Sequence, residues 1–265
     1  MTLIALLLPL LTPAAHASCE QVQPSLALDQ LYLAIEQCAP ASEGESGKAG
    51  DSDDAPDALD TFRALLAGVK WSNPPETWDA PAEIWSHGFQ AWDNSLQGDD
   101  VREQGGLLAR QADGSFVFRR GPEGDARQWT PDYTTLREGE VSAAVLHTHP
   151  YASDDGGWER ITFSGDDLGI MAWTPEAVEF VQSGDTLFAA VKSKEFMDIV
   201  GALDRDQRAA LQRVIQEDHR ALVNDLLSRG HSFPDAMHQT VTAVAARYGI
   251  LYYTARAGEP FTRMK

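Results

Sequence analysis

Two histidines, His147 and His149, stand at the end of an apolar, β-branched run that predicts a strand over residues 141–149. Side chains on a strand alternate between the two faces, so both imidazoles point the same way and could bind one metal ion. Pro150 has no backbone N–H and cannot continue a sheet, which leaves the pair at an open strand end. This spacing favours metal-ion chemistry.

A hydroxyl and two carboxylates follow in the segment 163–167, Phe-Ser-Gly-Asp-Asp. Two histidines, one aspartate and a water would complete a zinc shell with one open position, which is typical of catalytic zinc. Asp166 and Asp167 are competing third ligands. Asp154 or Asp155 is a more distant alternative.

The His-Thr-His-Pro run at 147–150, followed by Ser164-x-x-Asp167, resembles the motif of the JAMM (MPN+/JAB) zinc metallopeptidases. The pattern is nearest to the secreted bacterial subset of that family, some members of which accompany polymorphic toxins. The resemblance covers about residues 101–191 and says little about either flank.

The resemblance implies a role for each matched residue. The zinc ligands would be His147, His149 and Asp167, and the upstream glutamate that the family requires is matched by Glu103. Glu103 would act as general base on a zinc-activated water, and Ser164 would donate to the oxyanion of the tetrahedral intermediate. The implied reaction is hydrolysis of an amide or isopeptide bond with Zn²⁺ as cofactor.

The resemblance also implies an α/β fold, with a mixed central sheet and flanking helices of the JAMM/cytidine-deaminase kind. The local patterns agree with it. Alternation around Asp113-Gly114 predicts a hairpin, and Ser164 or Asp166 could cap a helix over 167–173. Further elements are predicted as strands at 178–182, 186–192 and 249–254 and helices at 204–229 and 234–248.

We expect the chain to divide into four regions. Composition and periodicity predict a signal peptide at 1–18, a helical and aromatic-rich N-terminal region at 19–97 with a disordered linker at about 39–57, and C-terminal helices with a closing strand at 201–265. The resemblance implies that the JAMM-like catalytic core lies between them, at 98–200.

The first residues predict export. A short apolar run ends in Ala-His-Ala at 15–17, an A-x-A cleavage site, which indicates a periplasmic or secreted protein. The two cysteines, Cys19 and Cys38, are expected to pair as a disulfide in an oxidising compartment. Lipidation at Cys19 is an alternative.

The formal net charge of −19 argues against nucleic acid as a partner, because phosphate binding requires patches of lysine and arginine. It argues equally against docking on anionic lipid. We expect a protein or peptide substrate, and no insertion into a membrane after the signal is removed.

Two other functions remain open. A peptidoglycan-cleaving metallopeptidase would combine His87 and Asp93 with the His-x-His pair. A binding module would retain the fold without catalysis.

The segment 150–163 is longer than its counterpart in most JAMM sequences. It follows a metal ligand directly, and we expect it to act as a mobile flap that shapes substrate choice.

Overall fold

The computed structural model describes residues 74–80, 82–97, 101–150 and 160–265. The residues of the predicted signal peptide, the predicted Cys19–Cys38 disulfide and the predicted linker at 39–57 lie outside the described residues, as does most of the 150–163 segment.

The described residues form one mixed eight-stranded sheet. Its strands are β1 Thr77–Trp78, β2 Gly105–Arg110, β3 Phe116–Arg120, β4 Val141–Thr148, β5 Val178–Ser183, β6 Thr186–Lys192, β7 Ile250–Arg256 and β8 Phe261–Arg263. Their order across the sheet is β1-β8-β7-β6-β5-β4-β2-β3. β4 and β5 run parallel, and the other neighbours among the described strands are antiparallel.

Within the described residues, five helices flank the sheet. They are α1 Ala82–Ser95, α2 Gly165–Ile170, α3 Lys194–Ala202, α4 Arg205–Ser228 and α5 Phe233–Tyr248. A short 3₁₀ turn, Tyr133–Thr135, precedes β4. The predicted α/β class with a mixed sheet and flanking helices is confirmed. None of these helices, which cover only the described part of the chain, is long and apolar enough to cross a membrane.

The two faces of the sheet carry different helices. Ile84 and Ala91 of α1 pack with Leu146 on one face. Leu168 of α2 and Ile215 of α4 pack on the other face, together with residues of α3 and α5. Because side chains alternate along β4, His147 lies on the opposite face from Leu146 and is therefore on the α2 and α4 side.

Local signals in the chain explain the helix ends near the site. Ser164 caps α2 as predicted, and its hydroxyl accepts from the Asp167 backbone N–H. Asp204 caps α4 in the same way, because its side chain accepts a hydrogen bond from the Gln207 backbone N–H. Gly249 ends α5 in the left-handed conformation that glycine adopts without strain.

Candidate metal centre

The end of β4 brings the two predicted histidines together. The Nε2 atoms of His147 and His149 lie 3.0 Å apart, and both residues are buried. β4 ends at Thr148, and the His149 N–H then donates to the Gln182 carbonyl on β5 at 3.0 Å. The prediction that both imidazoles point the same way is confirmed.

One of the two rings has its orientation set by a backbone carbonyl. His149 Nδ1 lies 2.9 Å from the Thr162 carbonyl oxygen, which can only accept, so Nδ1 carries the proton. The Nε2 lone pair of a neutral His149 therefore points at His147. This is the state in which histidine binds a metal.

The carboxylate of Asp167 faces both rings. Its Oδ1 lies 3.4 Å from His147 Nε2, and its Oδ2 lies 3.3 Å from His149 Nε2. The capping box fixes this position, because the Ser164 backbone N–H donates to Asp167 Oδ2 at 2.6 Å and the Asp167 N–H donates to Ser164 Oγ at 3.2 Å. The cap of α2 thus aims a carboxylate at the histidine pair.

A close approach of α2 to α4 supports this placement. A Cβ added to Gly165 would come within 3.0 Å of His219 Cβ and 3.2 Å of Gln216 Cα. A larger residue at 165 would therefore push the start of α2, and Asp167 with it, away from α4.

The described residues among the alternative metal ligands of the sequence analysis do not face the histidine pair. Asp166 Oδ1 accepts a hydrogen bond from Gln216 Nε2 at 2.8 Å, away from the histidines. His87 on α1 stacks on Phe118, with ring centroids 4.5 Å apart, in the cluster on the opposite sheet face. The structure does not bring His87 to the His-x-His pair, and Asp93 belongs to the same distant helix. Asp154 and Asp155 lie outside the described residues.

Glu103 enters from the segment before β2. Its backbone is held on both sides, because its N–H donates to the Asp125 carbonyl at 2.8 Å and its own carbonyl accepts from Gly124 at 2.9 Å. Glu103 is 2 % exposed. Ligand atoms of Glu103, His147 and His149 lie within 4.8 Å of one another, so this buried cluster could bind a metal ion.

The separations between the candidate ligand atoms can be compared with those around a tetrahedral metal ion. Ligand atoms about 2.0–2.1 Å from a zinc ion lie roughly 3.3 Å from one another. The two Nε2 atoms lie 3.0 Å apart, and each faces a different oxygen of Asp167, Oδ1 at 3.4 Å from His147 and Oδ2 at 3.3 Å from His149, so these separations are close to that value.

Burial and charge shift the pKa values of the cluster in different directions. Burial raises the pKa of the Glu103 carboxyl, although the two histidines oppose the shift. Burial disfavours a charged His149, but Asp167, Glu103 and the Thr162 carbonyl together outweigh it and raise its pKa. The pKa of Asp167 is well below its usual value, because the two histidines outweigh the effect of burial. Burial, followed by the nearby Asp167, raises the pKa of Glu179.

A cavity of about 380 Å³ opens onto the cluster. Trp129 forms one wall and lies parallel to His147, with ring centroids 6.1 Å apart and planes 9° apart. The Trp129 indole N–H donates to the Pro122 carbonyl at 2.9 Å, which fixes the ring. Ile170 of α2 also lines the cavity and is 39 % exposed. The cavity is large enough for a short peptide segment.

Sequence reasoning missed three residues of the site. Trp129 and Glu179 line the cavity, and Thr162 orients His149. Glu179 reaches His147 only through the parallel pairing of β4 with β5, and this pairing has no signal in the linear sequence. Trp129 lies in a loop that has no periodic pattern. A large aromatic residue close to glycines in such a loop could have been used to predict a cavity wall.

Comparison with known proteins found no match among protein families, curated proteins or solved structures.

Proposed function

We propose that this protein is a zinc metallopeptidase that hydrolyses an amide or isopeptide bond. The observation that carries the proposal is the position of Asp167. A helix cap holds its carboxylate 3.3 to 3.4 Å from the Nε2 atoms of two buried histidines. Two nitrogen ligands, one carboxylate and an open side towards a cavity are typical of catalytic zinc.

The metal would be held by His147, His149 and Asp167. A zinc ion bound there supplies a Lewis acid that lowers the pKa of bound water towards neutrality. The chain itself supplies ligand orientation, because Thr162 fixes the His149 ring and Ser164 fixes the Asp167 carboxylate.

Glu103 would serve as the general base. It is buried beside both histidines, and its raised pKa brings the carboxyl closer to the pH at which a proton can be taken up and then released. In the proposed reaction Glu103 takes a proton from the attacking water and passes it to the leaving amine. The carboxylate is thereby regenerated.

Ser164 would stabilise the developing oxyanion. Its Oγ accepts from the Asp167 N–H, and its hydroxyl proton is then free to donate towards the cavity, which Ser164 also lines. A hydroxyl donor at this place would act on the charge that develops when the carbonyl is attacked.

We further propose that the fold is JAMM-like, with helical extensions at both ends, and that the protein is exported. Support for the first statement is the arrangement of Glu103, the His-x-His strand end and the Ser-x-x-Asp helix cap on one side of a mixed sheet. Support for the second is the apolar run and the Ala-His-Ala site near the N-terminus. The substrate class is protein or peptide.

The test compares the wild-type chain with Glu103→Gln. Both should bind close to one zinc per chain by elemental analysis, because Glu103 is outside the proposed ligand set. Cleavage of a proteome-derived peptide library, including isopeptide-linked peptides, should fall by about 10²–10⁴-fold in the variant. Full activity of Glu103→Gln would contradict the proposal. Zinc binding by the wild type without any cleavage would instead favour a binding module.

A further inference from the structure

Glu179 is a buried carboxyl on the strand next to the metal strand. The parallel register places it opposite Val145, two residues before His147 and on the same sheet face. Its Oε1 lies 3.7 Å from His147 Nδ1, the ring nitrogen that faces away from His149.

The two histidines differ in how that second nitrogen is satisfied. His149 Nδ1 donates to the Thr162 carbonyl at 2.9 Å. His147 Nδ1 is buried and has no hydrogen-bond partner among the described residues. A buried N–H without an acceptor is costly, so this nitrogen requires a partner. Glu179 is the acidic group that the structure records facing it.

We propose that Glu179 is a positioning residue that accepts the Nδ1 proton of His147 and so holds the Nε2 lone pair towards the metal. The inference rests on the proposed metal site. Metal-binding histidines commonly donate their other N–H to a carboxylate, which fixes the tautomer and the ring angle. A carboxyl group can accept through its carbonyl oxygen in either protonation state, so the role does not depend on the charge of Glu179.

The separation of 3.7 Å is longer than a hydrogen bond. The role therefore requires the Glu179 carboxyl and the His147 ring to approach each other by a fraction of an ångström. Both residues line the same cavity.

Glu176 provides a matched control. It is as buried as Glu179 and lies three residues before it, but its Oε2 accepts from the Tyr133 hydroxyl at 3.2 Å. Removal of its charge should leave His147 unaffected.

The experiment measures zinc affinity by competition with a chelator, using zinc alone and full-length protein. Glu179→Ala should weaken zinc binding by about 10–100-fold. Glu179→Gln keeps an amide oxygen as acceptor and should restore part of the affinity. Glu176→Gln should bind zinc as tightly as the wild type. Circular dichroism identifies any variant that fails to fold, and Glu179→Gln then carries the comparison.

Nitrogen NMR of the histidine rings gives a second readout that a merely structural role would not change. In the zinc-bound wild type, His147 should be protonated at Nδ1, and Glu179→Ala should shift the His147 signals but leave those of His149 in place.

Unchanged zinc affinity and an unchanged His147 tautomer in Glu179→Ala would overturn the inference about Glu179 and leave the proposed metal site standing. Complete loss of zinc, as expected for His147→Ala, would make Glu179 a ligand and also overturn it. If the wild type binds no zinc, the proposed metal site itself is wrong.

Discussion

Thr148 and Gln104 hold each other through two hydrogen bonds. The Gln104 N–H donates to Thr148 Oγ1 at 3.0 Å, and the Thr148 N–H donates to the Gln104 carbonyl at 2.9 Å. Thr148 stands between the two histidines, and Gln104 follows Glu103. The pair therefore fixes the distance between the proposed base and the proposed metal ligands.

Replacement of Thr148 by valine tests this connection. Valine has nearly the same shape but no acceptor, so the buried Gln104 N–H loses its partner at Thr148 Oγ1. We expect the free energy of unfolding to fall by about 1–3 kcal/mol in urea denaturation. Hydrolysis should fall further than zinc affinity, because the displaced group is Glu103 and not a ligand.

Thr148→Ser is the control for that variant. Serine keeps the hydroxyl and loses only a methyl group, so Glu103 should stay in place. A serine variant with as large a loss of hydrolysis as the valine variant would show that packing, and not the hydrogen bond, sets the position of Glu103.

The neighbouring aspartates should behave differently on substitution. Asp167→Ala is expected to lose the metal, whereas Asp166→Ala is expected to retain it, because Asp166 bonds to Gln216 and not to the histidines. Metal content of the purified variants checks this. Asp167→Asn separates the ligand role from the cap. An asparagine oxygen can still accept from the Ser164 N–H, so this variant should keep the helix cap and still bind zinc weakly. Equal zinc content in the Asp166 and Asp167 variants would contradict the assignment.

Patterns within a few residues explain which parts of the fold could be predicted. Asp113-Gly114 marked the hairpin, and Ser164 marked the start of α2, because a turn or a cap needs particular residue types at short spacing. Three-residue β8 and two-residue β1 were missed, since such short strands have no periodicity. Helix α3 was also missed, although Ser193 was a usable N-cap signal before Phe196.

The candidate site divides in the same way. His147 and His149 could be predicted from their spacing, and Glu103 and Asp167 only from the family resemblance. The orientation of each histidine ring could not be predicted, because Thr162 and Glu179 act through tertiary contacts between separate segments. Spacing alone did not distinguish Asp166 from Asp167, whereas in the structure the α2 cap turns only the Asp167 carboxylate towards the histidines.

Gly105 should not tolerate a side chain. It pairs with His147 across β2 and β4, and a Cβ there would lie 2.6 Å from the Leu146 carbonyl oxygen and 2.8 Å from the Trp129 ring. We expect Gly105→Ala to displace Trp129 from His147, with a loss of about 1–3 kcal/mol in unfolding free energy and a change in tryptophan fluorescence.

Gly201→Ala is the control for Gly105→Ala. Apart from its chain neighbours and its own helix backbone, no atom of the described residues lies within 4 Å of the added methyl, and alanine favours the helix, so stability should rise by about 0.5–1 kcal/mol.

The ion pair between Arg119 and Glu140 predicts a dependence of stability on acid. Arg119 Nε donates to Glu140 Oε2 at 2.9 Å, and a second bond joins Nη2 to Oε1. Hydrogen bonds from Arg119, followed by the Arg137 backbone N–H, lower the pKa of Glu140 from 4.5 to about 2. Between these pH values the unfolded chain binds more protons at this site than the folded chain, so the site's stabilising contribution is complete above pH 4.5 and is lost as the pH falls towards 2.

Glu140→Gln should therefore be less stable than the wild type at neutral pH, and the difference should shrink as the pH falls through that window. Urea denaturation of both proteins at several pH values measures it. Arg119→Met should show the same convergence with acid, because it removes the other partner of the same pair. The contrary result is a difference in unfolding free energy between wild type and Glu140→Gln that stays constant from pH 6 to pH 3. It would mean that the charge of the Glu140 carboxylate does not stabilise the fold.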